Sequence, residues 1–246
     1  MQLIRAVHRP DNLDAAVQLL ARPDVHTAAL AGGTSIVPQT EAGIEELVDL
    51  QAVGLDAISR TTGGLAIGAT VRVQSLVEDE RVPDVLRAVA RQEGPNTFRN
   101  VGTVGGAVVA ADWQSVMLAA LLALQAEVNI RNAAGERRLQ LSEFLSEPRG
   151  ALDRGVLTEI AIQTGGTMAV DQVARTPADT PIVGAVARRT ENGAVLLALS
   201  GVAVTPMLVD PDQVAQLDPP GDFRGSGEYR REMAVVLSRR VLEQIP

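Results

Sequence analysis

Two glycine-rich segments carry the clearest chemistry in this chain, and they lie about seventy residues apart. The first reads Ala31-Gly32-Gly33-Thr34-Ser35-Ile36, and the second reads Asn100-Val101-Gly102-Thr103-Val104-Gly105-Gly106. Each combines glycines with small hydroxyl residues, which lets backbone N–H groups approach an anion such as a pyrophosphate. Together the segments predict a dinucleotide held between two lobes.

Neither segment is specific by itself. The first lacks the spaced third glycine of the Rossmann fingerprint, and no acidic residue follows at the expected distance after a second strand. A tight turn at the end of a strand would explain Gly32-Gly33 equally well without a phosphate site. For the second segment, a glycine-rich turn entering a helix is an equally good interpretation. Both alternatives stay open on local grounds.

Composition limits which ligands the chain can bind and which class of protein it belongs to. With 246 residues, of which 46% are hydrophobic, the chain can bury a large core and form one or two soluble globular domains. A net charge of −8 without a basic block argues against nucleic acid or an anionic membrane as partner. The sequence has no lysine, which excludes a phosphate-binding lysine of the Walker type and makes backbone amides the expected phosphate ligands.

Cysteine is absent, so this chain holds no disulfide, iron–sulfur cluster or thiolate zinc site of its own. The two histidines, His8 and His26, are predicted to be surface residues, and neither a catalytic side chain nor a metal site is expected. The sequence has no cationic amino-terminal region followed by a long apolar run and no uninterrupted apolar stretch of about twenty residues. The expected location is the cytoplasm.

The pattern of apolar residues predicts the elements that position these segments. A helix over about 11–21 and strands over 27–31 and 46–50 form a small α/β lobe. A second lobe follows from residue 63 onward, and a loop at 163–167 divides the chain again. The predicted elements of the second lobe are strands at 65–69 and 71–73, helices at 82–92 and 115–125, and a hairpin of 127–131 with 138–141. Beyond the loop, the predicted elements are paired strands at 182–188 and 194–204, an exposed connection at 210–222, and a last helix capped by Ser226.

The sequence resembles the flavin-binding medium subunit of the molybdenum hydroxylases, which include xanthine dehydrogenase and aerobic carbon monoxide dehydrogenase. The segments 31–38 and 99–106 resemble the two FAD loops of that family, in the same order and spacing. Further matches run through 67–69, 121–128, 201–206 and 228–231. The resemblance therefore covers nearly the whole chain.

The resemblance implies an α+β fold. A two-lobed FAD-binding domain of the PCMH type would cover 1–165, with a small α/β lobe at about 1–55 and a larger, mostly antiparallel lobe at 56–165. A small α+β domain would cover 166–246. The implied cofactor-binding residues are Ala31, Gly32, Gly33, Thr34, Ser35 and Ile36 around the pyrophosphate, Gly102, Thr103, Gly105 and Gly106 on the other side, Ser115 in support, and Leu157 near the isoalloxazine ring.

The implied function is that of an oxidoreductase subunit which carries FAD and transfers electrons. A molybdopterin-binding large subunit would hydroxylate the substrate, a 2Fe–2S small subunit would relay electrons, and FAD on this chain would pass them to a small-molecule acceptor. The protein supplies binding and orientation in such enzymes, while the cofactor carries the electrons.

The sequence departs from the family pattern in four places. Ala107 replaces an asparagine, Val116 replaces an aspartate after Ser115, Trp113 replaces a proline, and 170–172 replace an aromatic-acidic-lysine stretch. Asp112 is interpreted as a surface residue, and Trp113 as core or interface packing in preference to a ring stacked on flavin. The arginine pairs at 188–189, 230–231 and 239–240 are expected to be solvated.

These departures motivate a second hypothesis, in which the chain is a degenerate, non-catalytic scaffold of the same fold with lost or weakened FAD binding. A third alternative is a stand-alone reductase of cell-wall precursors that shares the FAD-binding architecture. It is disfavoured because the matches at 201–206 and 228–231 belong to the hydroxylase subunit.

Overall fold

A small parallel sheet with one helix forms the amino-terminal part of the computed structural model, which describes residues 4–35, 43–176 and 179–245. Strand β3 (Glu46–Asp49) lies between β1 (Ala6–His8) and β2 (Thr27–Leu30), and both pairings are parallel. Helix α1 (Leu13–Leu20) begins after Asn12, whose side chain accepts a hydrogen bond from the Ala15 amide at 2.9 Å. The predicted helix and the two predicted strands of this lobe are confirmed.

The second sheet has five strands, and every neighbouring pair is antiparallel. Strands β5 and β8 lie inside the sheet, and most of their apolar side chains are buried. The predicted hairpin at 127–141 is confirmed as the last pair of this sheet. The strands, in the spatial order β4-β5-β8-β6-β7, are β4 (Ile58–Thr61), β5 (Gly64–Gly68), β8 (Val156–Gln163), β6 (Glu127–Asn132) and β7 (Gly135–Gln140).

Seven helices described in this part of the chain surround the second sheet: α2 (Val73–Glu78), α3 (Asp84–Gln92), α4 (Asn96–Arg99), α5 (Val104–Ala110), α6 (Val116–Ala123), α7 (Leu141–Ser146) and α8 (Pro148–Leu152). Every residue of α6 is buried, because the helix packs on α3 and on strands of a third sheet. A helix that is apolar all round needs such burial on every face. Within the described ranges, no helix combines the length and apolar composition required to span a bilayer.

The third sheet is antiparallel and is covered by the last helix. Its strands, in the order β12-β11-β10-β9, are β12 (Met207–Leu208), β11 (Val195–Ser200), β10 (Val183–Arg189) and β9 (Thr167–Val173). Val186 and Ala198 point to the core around α6, whereas Ala187 and Leu199 point to the core under α9 (Gly227–Gln244). The sheet therefore has two buried faces, and the predicted α+β class is confirmed.

Two predicted strands and one predicted loop differ from the structure. The predicted strand at 71–73 is wrong, because Arg72 makes a single bridge to Thr103 and Val73 begins α2. The strand predicted to reach residue 204 ends at Ser200, where Gly201 turns the chain with φ +75°. The connection at 210–222 contains a 3₁₀ helix, Pro211–Gln216, that buries Val214.

The expectation of solvated arginines is wrong for Arg188 and Arg230. Arg188 is buried and donates to the Gly165 carbonyl at 2.9 and 2.7 Å. Arg230 is 0% exposed, and it donates to the Ile182 and Gly201 carbonyls and to Asp222. Both arginines satisfy carbonyls at strand ends or turns, so their charge is hydrogen-bonded inside the protein.

Candidate functional site

A cleft of 590 Å³ opens where the first sheet, the second sheet and the turn after β11 meet. This volume lies in the range of small-molecule and cofactor sites. Its walls come from stretches in or next to all three sheets, and these stretches are distant in sequence. The described lining residues are Ala29, Ala31–Ser35 and Leu50 from the first sheet, Ala69, Thr70, Thr103, Gly105, Gly106, Val109–Ala111, Ser146–Arg149, Leu152 and Gly155–Leu157 from the second, and Val204 and Thr205 from the third.

Most of the residues predicted to bind the cofactor come together in this cleft. Gly102 and Ser115 do not line it, and Ile36 lies outside the described residues. The predicted residues that do line it are Ala31, Gly32, Gly33, Thr34, Ser35, Thr103, Gly105, Gly106 and Leu157.

The first glycine segment leaves β2 and packs directly on the second. A Cβ atom at Gly32 would lie 2.2 Å from the carbonyl oxygen of Val101 and 3.0 Å from the Cα of Gly102, so no side chain fits there. Gly33 has φ +73°, a backbone conformation that favours glycine. Among the described residues, no oxygen accepts a hydrogen bond from the amides of 32–35. As far as the described ranges show, these amides are available to bind an anion.

The amides of the second segment are used differently. Val104 N donates to Val71 O at 2.8 Å, Gly105 N donates to Ala69 O at 2.9 Å, and Gly106 N donates to the Thr103 hydroxyl oxygen at 3.1 Å. A Cβ at Gly105 would lie 2.7 Å from the Ala69 carbonyl oxygen and side chain. The glycines of this segment thus bring α5 against the end of β5. The first three amides of α5, those of 104–106, already have acceptors within the protein.

Gly102 and Ser115 have structural contacts instead of a place in the cleft wall. Gly102 packs on the Phe98 ring, which a Cβ would approach to 3.2 Å. The Ser115 hydroxyl caps α6 by accepting from Leu118 N at 3.1 Å and donates to Glu93 at 2.8 Å. Burial raises the pKa of Glu93 to about 7, although hydrogen bonds from Ser115 and the Met117 amide act in the opposite direction.

Trp113 and Val116, two of the departures from the family pattern, pack against the third sheet. The Arg230 guanidinium lies 4.4 Å from the centre of the Trp113 ring, which fits the interpretation of Trp113 as interface packing. Val116 is 5% exposed, and one of its methyl groups lies 2.6 Å from the position of a Cβ on Gly184. Asp112 is an exposed residue that accepts a hydrogen bond from Gln114 N, as the surface interpretation predicts.

The remaining substituted positions also lie outside the cleft wall. Ala107 and Val170 pack on the core around α6. The Gln172 amide donates to the Gln92 side chain at the end of α3. None of these replacements fills the cleft with a larger side chain, so the departures leave it open.

Several residues of the cleft were not predicted from the sequence. Thr70 follows β5, and Val204 and Thr205 follow the turn at Gly201. The segment 201–206 was identified as a family match, but none of its residues was predicted to lie at the cofactor. The segment 146–149 reaches the cleft through the short helix α8 and brings Arg149 with it. No periodicity or motif in these segments signals a binding role. Within the described ranges, no three His, Cys, Asp or Glu side chains cluster as metal ligands would.

Comparison with known families decides what the cleft belongs to. Residues 2–162 match the family described as the FAD-binding domain in molybdopterin dehydrogenase. The chain belongs to this family. The prediction of FAD as cofactor is confirmed at the level of the family, because this FAD-binding domain contains all of the cleft except Val204 and Thr205.

Similar proteins extend the match beyond the FAD-binding domain. The chain is 30% identical to the uncharacterized protein YgfM of Escherichia coli strain K12, over 96% of this chain and 94% of that protein. It is 27% identical to the carbon monoxide dehydrogenase medium chain of Afipia carboxidovorans, with 96% and 95% covered. A chain of quinoline 2-oxidoreductase from Pseudomonas putida 86 superposes with a TM-score of 0.86 at 25% identity, covering 100% and 98%. Membership of this family places the FAD-binding chain among subunits of oxidoreductases.

Proposed function

We propose that this chain is the FAD-carrying electron-transfer subunit of a molybdenum hydroxylase complex. Its partners would be a molybdopterin-binding large subunit and a 2Fe–2S small subunit, and a small molecule would accept the electrons. The proposal is supported by the likeness to a carbon monoxide dehydrogenase medium chain over nearly the full length of both proteins. The observation that carries it is the cleft of cofactor size, which residues 32–35 line and in which their amides have no acceptor among the described residues.

The residues of the cleft fit a dinucleotide flavin. The amides of 32–35 would hold the pyrophosphate, since backbone N–H groups beside glycine can approach phosphate oxygens closely. Leu157 and Val156 are buried at the start of β8 and offer an apolar wall to the ring system. When bound, FAD supplies the redox chemistry, namely the uptake and release of electrons. The chain binds and orients the cofactor, and this role requires no acid or base among its side chains.

The partner chains follow from the chemistry that this sequence lacks. Without cysteine, the chain has no ligands for an iron–sulfur cluster, so any cluster that passes electrons to its flavin would lie on another polypeptide. The large and small subunits would supply the molybdenum centre and the clusters. This polypeptide would therefore be active as a dehydrogenase only inside the complex.

The test is to purify the tagged chain from its native host and to record its visible spectrum. We expect absorbance bands of bound flavin at about 370 and 450 nm, as the chromophore shows generally. We also expect molybdenum-containing and iron–sulfur chains to co-purify in a constant ratio. A colourless protein that refuses added FAD would leave the scaffold alternative, and a stable isolated chain with full activity would overturn the requirement for partners.

A further inference from the structure

The cleft needs positive charge if it is to hold a pyrophosphate, because the whole chain carries a net charge of −8. The second glycine segment does not provide it, since the amides of 104–106 already donate to protein oxygens. The described lining residues include one carboxylate, that of Glu147, and one guanidinium, that of Arg149. These two side chains decide the local charge of the cleft.

The Glu147 carboxylate is turned toward its own helix. It lies 2.8 Å from the position of a Cβ on Gly150, within the first turn of α8. Among the described residues, no carboxylate lies within 4.0 Å of the Arg149 guanidinium. Arg149 is exposed and lines the cleft, so its hydrogen-bond donors are available there.

The other arginines on this side of the second sheet have structural contacts. Arg131 pairs with Asp14 at 3.1 Å, Arg154 donates to the Arg22 carbonyl at 3.0 Å, and Arg137 donates to the Ala151 carbonyl. The first two contacts join the second sheet to the first. Arg149 thus differs from its neighbours in having no acceptor among the described residues.

We propose that Arg149 binds the pyrophosphate of the dinucleotide across the cleft from the free amides of 32–35. A guanidinium matches phosphate oxygens with two parallel N–H donors, and its charge does not depend on pH in the working range of a protein. Arg149 is therefore a cofactor-binding residue that lies outside both glycine segments. This inference rests on the proposed function, since it assumes that FAD is the occupant.

The test compares flavins with and without phosphate on the full chain freed of bound flavin. The probes are FAD and riboflavin, and the readout is the dissociation constant from quenching of flavin fluorescence. For Arg149→Gln we expect FAD to bind about tenfold to a hundredfold more weakly, as expected for loss of a charge-assisted hydrogen bond, and riboflavin to bind within about twofold of the wild type. Arg149→Lys, which keeps the charge without the fork of donors, should lie between the two.

Arg60→Gln is the matched control, because Arg60 is an exposed arginine on β4 outside the cleft wall and its loss changes the net charge equally. If Arg149→Gln binds FAD as tightly as Arg60→Gln does, Arg149 is not a phosphate ligand. Equal losses for FAD and riboflavin would place Arg149 at the ring and overturn the proposal. If the wild-type chain binds no FAD, the proposed function fails as well, and this result differs from the other two.

Discussion

Gly32 shows how a single position joins the two halves of the cleft. Its backbone lies against Val101 and Gly102, so the first segment reaches the second only where a side chain is missing. Gly32→Ala would push its Cβ to 2.2 Å from the Val101 carbonyl oxygen and force the segments apart. We expect FAD affinity to fall by at least about tenfold, because the free amides of 32–35 would move away from their ligand.

Equilibrium binding of FAD, measured beside the thermal unfolding midpoint, checks this prediction. Gly165→Ala is the control, because a Cβ there would meet only the flexible end of the exposed Glu191 side chain. Wild-type affinity in Gly32→Ala would show that the contact between the two segments does not position the cofactor.

Glu93 should make stability depend on pH in an unusual direction for a carboxylate. Burial raises its pKa from 4.5 to about 7, so the folded state binds this proton more tightly than the unfolded state does. The stabilisation from Glu93 is complete below pH 4.5 and is lost as the pH rises through about 7. The shift corresponds to at most about 3 kcal/mol, and partial exposure of the residue reduces this to about 2 kcal/mol.

Glu93→Gln removes this titration while keeping a partner for the Ser115 hydroxyl. We expect the variant to match the wild type near pH 5 and to exceed its free energy of unfolding by about 2 kcal/mol at pH 8. Urea unfolding at several pH values measures the difference. Glu80→Gln, at an exposed glutamate, should show no such trend. A constant difference between Glu93→Gln and the wild type across this range would contradict the assignment.

Helix α6 is the element on which the second and third sheets both depend. All of its residues are buried, and its amino-terminal end holds Ser115, Glu93 and Val116 close together. Restoring the family's aspartate by Val116→Asp would bury a second carboxylate beside Glu93 and face it toward Gly184. We expect a loss of more than about 3 kcal/mol in the free energy of unfolding at pH 8, with a smaller loss at pH 5.

Val116→Asn separates charge from shape, because its side chain is similar in size to that of aspartate but neutral. It should destabilise the protein without the dependence on pH. Val116→Ala, which only removes methyl groups, should cost about 2 kcal/mol. Denaturant unfolding of the three variants at both pH values tests this order. If Val116→Asp is as stable as Val116→Ala at pH 8, the site tolerates a buried carboxylate.

The regular elements were predictable wherever local pattern and burial agree. The predicted cap Ser226 begins α9, and Asn12 and Ser115 cap α1 and α6 in the same way, because a cap depends on neighbours in sequence. The strand prediction at 71–73 was wrong because alternation of apolar residues also occurs where a turn leads into a helix. Buried arginines gave no signal, since the acceptors of Arg188 lie in a loop and a helix end distant in sequence.

The cleft was predictable in its first half and only partly in its second. Glycine beside small hydroxyl residues marked two segments that both line the cleft, and close backbone approach requires glycine in each. Their role in binding a cofactor stays a prediction. Sequence could not show that the amides of 104 and 105 have acceptors in the protein, whereas those of 32–35 have none among the described residues. That difference depends on which oxygen lies opposite each amide, such as Ala69 O opposite Gly105 N. The position of Arg149 in the cleft wall likewise depends on contacts that the sequence does not show.

At the scale of the whole molecule, the third sheet completes the core of the second. Val186 and Ala198 pack into the core around α6, and Gly184 accommodates Val116. The proposed division into 1–165, with lobes at about 1–55 and 56–165, and 166–246 therefore describes units that share buried surface. The turn after β11 extends this sharing to the cleft, because it carries Val204 and Thr205 into the wall.

Arg230 holds that turn in place, so we expect its loss to lower both the free energy of unfolding and the affinity of the cleft for FAD. The guanidinium donates to Gly201 O at 3.1 Å and to Asp222 at 2.7 Å, and it lies on the Trp113 ring. Arg230→Gln leaves buried carbonyls and the Asp222 carboxylate without their donor. We expect a loss of about 3 to 5 kcal/mol in the free energy of unfolding and, in the folded fraction, weaker FAD binding.

Arg240→Gln is the matched control, because Arg240 is an exposed arginine of the same helix that pairs with Asp171 at 3.3 Å. An exposed ion pair contributes at most about 1 kcal/mol, so this variant should stay near the wild type. Trp113→Phe, which keeps an aromatic face for the guanidinium, should lose less stability than Trp113→Leu. Equal losses from these two substitutions would mean that Trp113 contributes by packing alone. An Arg230→Gln variant as stable as Arg240→Gln would show that other contacts hold the turn at Gly201, such as the hydrogen bond from Gly201 N to Trp113 O at 2.7 Å.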